Sequence, residues 1–263
     1  MNIFNNFTTE LASGSTLMHI FDPLEQFAVV PLLWNSILCP SIITNMTIFL
    51  ALNFFLIHFL LSSVYDKGVY TAWDLFIDNI YILVKSMIKR NTILKRYQYF
   101  SILLFLFMFI FISNLVGLIP YSFTVTSSFV VTFFLALTHF IGINIIAIVE
   151  RKWEFANMFL PSGVPIFIAP ILVPIEFISY IARVFSLSIR LFANMMSGHA
   201  LLKILIGFSW TLLGSGAVYI GLSIFPWIIV TMIMVLELLI AFLQAYVFVI
   251  LIAIYINDIL ASH

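Results

Sequence analysis

Two long stretches without a single acidic or basic side chain constrain this protein most. Residues 26–65 and 97–149 contain no Asp, Glu, Lys or Arg. A helix needs ~20 apolar residues to cross the ~30 Å hydrocarbon core of a bilayer, and both stretches are longer than that. Of the 263 residues 63% are hydrophobic and 8% are charged, against about 45–50% and about 25% in soluble domains. The sequence therefore predicts an all-α integral membrane protein.

The spans can be placed from the apolar stretches and the breakers between them. The first stretch holds one predicted span, and the second is divided at residues 117–122 by a breaker-rich turn. Two longer apolar segments follow, separated by a glycine-rich stretch. The five predicted membrane helices are about Ile42 to Leu61, Ile102 to Ile119, Phe129 to Val149, Pro174 to Ile206 and Trp227 to Leu260.

The last two segments are too long for upright spans. Each would be ~50 Å long as a continuous helix, whereas a span tilted by the average ~20° needs only ~32 Å. The prolines at 161, 165, 170 and 174 punctuate only the approach to the first segment, so neither helix is expected to contain one. We predict two long, strongly tilted helices that pair as an antiparallel hairpin.

The basic residues predict the orientation. Residues 66–96 hold six Lys or Arg and the loop after the third span holds two more, so eight of the 11 basic residues share one side. By the positive-inside tendency the N-terminus lies outside and the C-terminus inside. We expect an N-terminal segment, 1–40, on the outer side and a single membrane domain, 41–263, in which residues 69–90 form an amphipathic helix at the inner interface.

Composition and motifs exclude several kinds of function. With 11 basic and 11 acidic residues the chain has no positive surplus, so no nucleic-acid partner is expected. Its single cysteine, Cys39, cannot form an internal disulfide, and no CxxC, HExxH or phosphate-binding loop is present. We therefore expect no cofactor, no metal site and no catalysis by the chain alone.

Ionisable residues inside the two long helices carry the functional signal. An arginine at the centre of a span costs ~3 kcal/mol even on the insertion scale, so such residues usually mark ion pathways. Glu176, Arg183 and Arg190 repeat every seven residues, which places them on one helical face. Glu237, Gln244 and Asp258 follow the same repeat on the second helix, with a gap at Leu251.

Pairing the two helices with level midpoints brings these residues into three layers. Arg190 faces Gln244 near the middle, and Glu176 comes level with Asp258 towards the inner side. Glu237 comes level with Ser197, close to His199, towards the outer side. Carboxylates and histidine exchange protons whereas the guanidinium stays charged, so the arrangement suggests two proton-exchanging clusters separated by a fixed cation.

Structural roles remain as alternatives for several of these residues. Glu176 and Arg183 could form bridges with neighbouring helices, and snorkelling to the interface is favoured for Lys203. His139 is expected to make an interhelical hydrogen bond. For His199 the spacing leaves a proton-carrying role and a structural role equally open. Arg190 lies too deep in the span for its side chain to reach the interface easily.

Three segments resemble subunit a of the F-type ATP synthase, in its mitochondrial form. The segment YIARVFSLSIRLFANMMSGH (180–199) is similar to the family's signature around its essential arginine. LELLIAFLQAYVF (236–248) and NLVGLIPYSF (114–123) are similar to two further signatures. Together they cover the chain from about Phe100 onwards, and residues 1–40 match no motif.

The resemblance implies a role for each site residue. Arg190 would be the essential arginine, Glu237 and His199 would line the outer half-channel, and Glu176 and Asp258 the inner one. Asn194 and Gln244 would be the polar residues near the arginine. The implied protein is a proton-conducting stator subunit that couples proton flow to ATP synthesis.

The implied surroundings are the mitochondrial inner membrane, with the N-terminus in the intermembrane space and the C-terminus in the matrix. The implied partners are the rotating ring of c subunits, the peripheral stalk, other membrane-sector subunits, lipid and protons. Two other classes remain open: a self-contained secondary transporter, which usually shows the inverted repeats not evident here, and a structural subunit of a respiratory complex.

Overall fold

The computed structural model describes six α-helices and two short 3₁₀ helices. It describes residues 25–31, 43–65, 72–91, 99–119, 122–151, 168–214 and 220–261. The α-helices are α1 (Asn45–Tyr65), α2 (Ala72–Asn91), α3 (Phe100–Gly117), α4 (Phe129–Arg151), α5 (Ala169–Gly214) and α6 (Ile220–Ala261). The 3₁₀ helices are Glu25–Phe27 and Val125–Ser127. The prediction of an all-α membrane protein is confirmed.

Five of these helices, all except α2, are long and apolar enough to cross a membrane. Backbone groups in hydrocarbon have no water to bind, so an apolar run within the bilayer satisfies them by forming a helix. The first three predicted spans coincide with α1, α3 and α4 to within a few residues at each end. The chain is therefore a multi-pass membrane protein.

Helix α2 covers most of residues 69–90, where an amphipathic helix was expected, and its position at the inner interface stays a prediction. Ile77, Ile80, Val84 and Met87 recur at helical spacing and are buried against the bundle. On the other side Trp73 and Ile82 are exposed. Packing of this buried face holds α2 against α1, α3 and α6.

The core of the bundle lies between α3 and α6. Eleven residues of α3 are buried, among them Leu106, Phe107 and Ile110, whereas α1 and α4 are largely exposed. The rings of Phe107 and Phe111 meet Phe242 of α6 edge to face, with centroids 6.1 and 6.0 Å apart. Helix α6, which carries Glu237 and Gln244, is thus held against the largely buried α3.

Helices α5 and α6 are longer than predicted. They contain 46 and 42 residues, corresponding to ~69 and ~63 Å. The expectation that neither contains a proline is wrong, because the helices begin earlier and include Pro174 and Pro226. Each proline removes one backbone hydrogen bond near a helix start, and the apolar sequence on both sides keeps the chain helical. The strong tilt stays a prediction.

Asn45, the first residue of α1, ties a short preceding segment to the bundle. Its side-chain oxygen accepts the Val30 N–H (3.2 Å) and its amide donates to the Ala28 carbonyl (3.0 Å). Residues 25–31 are held across the start of α1 by these bonds. Phe27 in that segment lies with its ring centroid 6.5 Å from the ring of His199 on α5.

Candidate functional site

Contacts between α5 and α6 show how the two long helices are paired. The Arg183 guanidinium lies 5.3 Å from the Tyr255 ring centroid, and Asn194 donates a 3.3 Å hydrogen bond to Gln244. Moving eleven residues forward on α5, from 183 to 194, thus moves eleven residues back on α6, from 255 to 244. The helices run antiparallel along this stretch.

The observed register differs from the one expected from helix midpoints. Gln244 bonds to Asn194, which lies four residues, or one turn, from the Arg190 that it was expected to face. Side-chain packing sets the register: besides the amide bond, Gly198 lies against Glu237. Glu237 therefore comes level with Gly198, one residue from the predicted Ser197 and next to His199.

Glu237 is buried between the two long helices and is 6% exposed. Neither carboxylate oxygen has a hydrogen-bond partner among the described residues. The same is true of the Nε2 atom of His199, which follows Gly198 in the chain. A Cβ placed on Gly198 would lie 2.9 Å from Glu237 Cδ and would overlap its Oε1. The absence of a side chain at Gly198 is what makes room for the carboxylate.

Arg190 lies on the exposed face of α5. Within the described residues its guanidinium makes no hydrogen bond and no ion pair. The residues that share this face are small and exposed, and they recur every three or four positions along most of it: Ser179, Ala182, Ser186, Ala193 and Ser197. Among the described residues, Arg190 is therefore a cation without a counter-ion, and it lies on a strip of small side chains where another helix could approach closely.

Glu176 has a partner on its own helix. Its Oε1 lies 3.6 Å from Arg183 Nη2, and both side chains are partly exposed. The alternative that both residues form static bridges predicted partners on neighbouring helices, whereas here they pair with each other. Arg183 also contacts the ring of Tyr255 on α6, so its guanidinium links Glu176 to the second long helix at this end of the pair.

The remaining candidates are placed less completely. Asp258 lies within the last turns of α6, but its side chain is outside the described part of the structure. Among the described residues His139 makes no interhelical hydrogen bond of the kind expected of it: its Nδ1 lies 2.7 Å from the Leu135 carbonyl of its own helix. It contacts α6 through its ring, which meets Phe248 edge to face.

Sequence reasoning predicted a backbone hydrogen bond for the helix-end amide of Asn114 and gave Asn53 no role. Asn53 of α1 and Asn114 of α3 are fully buried. Asn53 donates to Ser113 Oγ (3.2 Å), and Asn114 donates to the Ala241 carbonyl of α6 (3.5 Å). The signal was present as two amides inside otherwise apolar spans, but a single amide is equally typical of a structural interhelical bond.

The site combines ionisable and neutral polar side chains on the two long helices. In the part of the chain that the structure describes, no three His, Cys, Asp or Glu residues lie close enough together to hold a metal ion. What the site offers is a buried carboxylate, a neighbouring histidine, a bonded amide pair and an exposed cation.

Fold and site together define a multi-pass helical membrane protein with ionisable side chains built into two paired long helices. Residues 43–257 match the family model described as ATP synthase A chain. The chain is 46% identical over 247 residues to ATP synthase subunit a of Chondrus crispus, covering 93% of this chain and 98% of that protein.

Two further relatives carry the same description. ATP synthase subunit a of Marchantia polymorpha is 43% identical over 92% of this chain and 98% of its own length. That of Neurospora crassa is 40% identical over 99% of this chain and 98% of its own length. The chain belongs to the ATP synthase subunit a family and is a non-catalytic membrane subunit of that proton-transporting complex.

Proposed function

We propose that the chain conducts protons through two offset half-channels and passes them to a rotating ring of c subunits in the mitochondrial inner membrane. The N-terminus faces the intermembrane space and the C-terminus faces the matrix. Protons enter through the outer half-channel beside Glu237 and His199 and leave through the inner one beside Glu176 and Asp258. Between the two, each proton is carried on a ring carboxylate.

One observation carries this proposal: among the described residues, Arg190 has no counter-ion and stands on an exposed strip of small side chains. An unpaired cation within a span is costly, and a static structural role would have supplied it with a counter-ion. A ring carboxylate passing along the strip supplies that counter-charge transiently. Small neighbours allow the ring helices to come close enough for the two charges to meet.

The charge of Arg190 separates the two half-channels. It favours the ionised form of a ring carboxylate beside it, so a proton cannot ride past the stator directly from one channel to the other. Asn194 and Gln244, bonded to each other one turn away, line the approach with neutral polar groups. A leak at this point would dissipate ~2.3 kcal/mol per proton for each 100 mV of membrane potential.

Glu237 and Glu176, assigned to different half-channels, differ in their hydrogen-bond and ion-pair partners. The buried carboxylate of Glu237, with no partner among the described residues, is placed to exchange protons on one side of the cation. Glu176 is held by Arg183 at 3.6 Å, so this ion pair must open whenever Glu176 takes up a proton. The peripheral stalk, neighbouring membrane-sector subunits and lipid cover the remaining apolar surface.

Substitution of Arg190 tests the proposal. Arg190→Ala should leave the complex assembled but abolish ATP-driven proton pumping and ATP synthesis, because nothing then blocks direct passage of a protonated carboxylate. Arg190→Lys should also be severely impaired, since a compact ammonium loses its charge more readily when desolvated. The measurement is acidification of vesicles containing the assembled complex, beside ATP synthesis and passive proton leak.

Ser186→Ala is the matched control, one turn away on the same exposed strip, and should pump normally. Near-normal coupled pumping by Arg190→Ala would refute the separator role. Such a result would favour a structural subunit.

A further inference from the structure

The buried amide pair, Asn53 and Asn114, lies in the half of the bundle that the proposed outer half-channel must cross. Asn53 is the ninth residue of α1, and Asn114 lies one turn before the end of α3. Asn114 bonds to the carbonyl of Ala241, which follows Glu237 by one turn on the same face of α6. Asn114 is therefore anchored on α6 one turn from Glu237, and Asn53 joins the neighbouring Ser113 of α3 from α1.

The hydrogen bonds fix which atoms of the two amides remain open. Asn53 Nδ2 donates to Ser113 Oγ, and Asn114 Nδ2 donates to the Ala241 carbonyl. Each Oδ1 is buried and has no partner among the described residues. Both oxygens of Glu237 are in the same condition, as is the hydroxyl of Thr126 in the 3₁₀ helix that packs against α3 and α5.

The chemistry of these open atoms points to one kind of occupant. The amide oxygens and the carboxylate oxygens of an ionised Glu237 can only accept hydrogen bonds, so they cannot satisfy one another. Leaving a buried acceptor without a donor costs about 1–3 kcal/mol, and buried polar groups of this kind are usually satisfied by ordered water. Water supplies two donors and also carries protons between acceptors.

We propose that water held by the Oδ1 atoms of Asn53 and Asn114 connects Glu237 to the outer compartment, which makes Asn53 a positioning residue of the outer half-channel. The inference rests on the proposed function and extends the channel wall from the two long helices to α1. Ser113 contributes by holding the Asn53 amide with its oxygen turned towards the water. A purely structural alternative is a dry interhelical bond between Asn53 and Ser113.

Silver ions distinguish a wet amide pair from a dry one, because they are small, charged and bind thiolates but do not cross hydrocarbon. The variants Asn53→Cys, Ile57→Cys and Glu237→Cys are each made in assembled complexes that also carry Cys39→Ser. Ile57 is the matched control position, since it is one turn from Asn53 on the same buried face of α1 and is 2% exposed in apolar surroundings.

The readout is the state of the introduced thiol, so it does not depend on how much proton flux each variant retains. Silver is added to sealed vesicles from the outer side and the excess is then removed. Thiols that silver has not blocked are counted by labelling the denatured subunit with a maleimide.

The proposal expects silver to block the thiol rapidly in Asn53→Cys and Glu237→Cys and not in Ile57→Cys. A blocked thiol in Glu237→Cys but not in Asn53→Cys would overturn the inference and leave the proposed function standing. Failure of both to react from the outer side would count against the proposed outer half-channel itself. Equal reaction in Asn53→Cys and Ile57→Cys would indicate a loosened bundle and would also overturn the inference.

A second measurement removes the water-holding oxygen without adding a thiol. Asn53→Leu keeps a similar shape, so a dry interface would tolerate it with flux unchanged. If Asn53 holds water, flux per assembled complex should fall about tenfold, and Asn53→Ser, which keeps an acceptor, should recover part of it. Unchanged flux in Asn53→Leu contradicts the proposal, and if that variant does not assemble, the silver experiment decides.

Discussion

At Gly198 the backbone of α5 comes so close to the Glu237 side chain that a Cβ would fit only if the carboxylate moved. The contact is between a helix backbone and a buried carboxylate, so a larger residue would have to displace the carboxylate itself. Glycine is costly inside a helix by roughly 1 kcal/mol relative to alanine. Its presence here is explained by this close approach.

Alanine at position 198 should therefore impair function although it is the better helix former. We expect Gly198→Ala to push Glu237 out of its place and to reduce proton flux per assembled complex severely. Gly142→Ala in α4 is the control, because a Cβ there meets nothing within 4 Å, and it should be neutral or slightly stabilising. Normal flux in Gly198→Ala would show that the Glu237 carboxylate is free to relocate.

Among the single residues, Arg190 could be recognised from the sequence whereas Asn53 could not. A cation in the middle of an apolar helix has few structural explanations. An amide in a span has a common one, and only its burial together with the open Oδ1 distinguishes it. That distinction depends on α1 and α3 lying side by side, which no local pattern encodes.

At the scale of helices, the two ends of the α5–α6 pair should open to opposite compartments. In chains that also carry Cys39→Ser, the thiols of Glu176→Cys and Glu237→Cys should react with a charged thiol reagent from opposite sides of the membrane. The proposed half-channels meet different stretches of the pair, because Glu176 lies 22 residues, or ~33 Å along α5, from Gly198, the neighbour of Glu237, with Arg190 between them. Labelling of both from one side would rule out two separate channels.

Helix boundaries and register show where sequence reasoning reached its limit. Apolar length located every span, because the bilayer fixes the length required. It did not locate the ends of α5 and α6, since a proline near a helix start was treated as a boundary although one lost hydrogen bond does not end an apolar helix. The expected register was four residues out at Gln244 and one residue out at Glu237, because side-chain packing, not helix length, determines it.

For the whole molecule, replacement of Glu237 separates a proton pathway from a structural bridge. Glu237→Gln keeps the size and the hydrogen-bonding capacity of the side chain but cannot exchange protons. We expect normal assembly with much slower proton flux, measured as vesicle acidification per assembled complex.

Two outcomes would contradict this expectation in different ways. Loss of assembly in Glu237→Gln would support a static structural role for the residue. Proton flux that continues in membranes lacking the c subunits would favour a self-contained transporter. The unsubstituted protein, measured with and without the ring, provides the reference for both.

The position of the core between α3 and α6 has a consequence for how the protein is made. Asn114 of α3 bonds to Ala241, which lies 127 residues later in the chain, on α6. The packing of the largely buried α3 is therefore complete only after α6 has been synthesised. Until α6 enters the membrane, the face of α3 that carries Leu106, Phe107 and Asn114 lacks its main packing partner. A product that stops before residue 220 therefore leaves the Asn114 amide without its α6 partner, as an unsatisfied polar group that marks the unfinished chain.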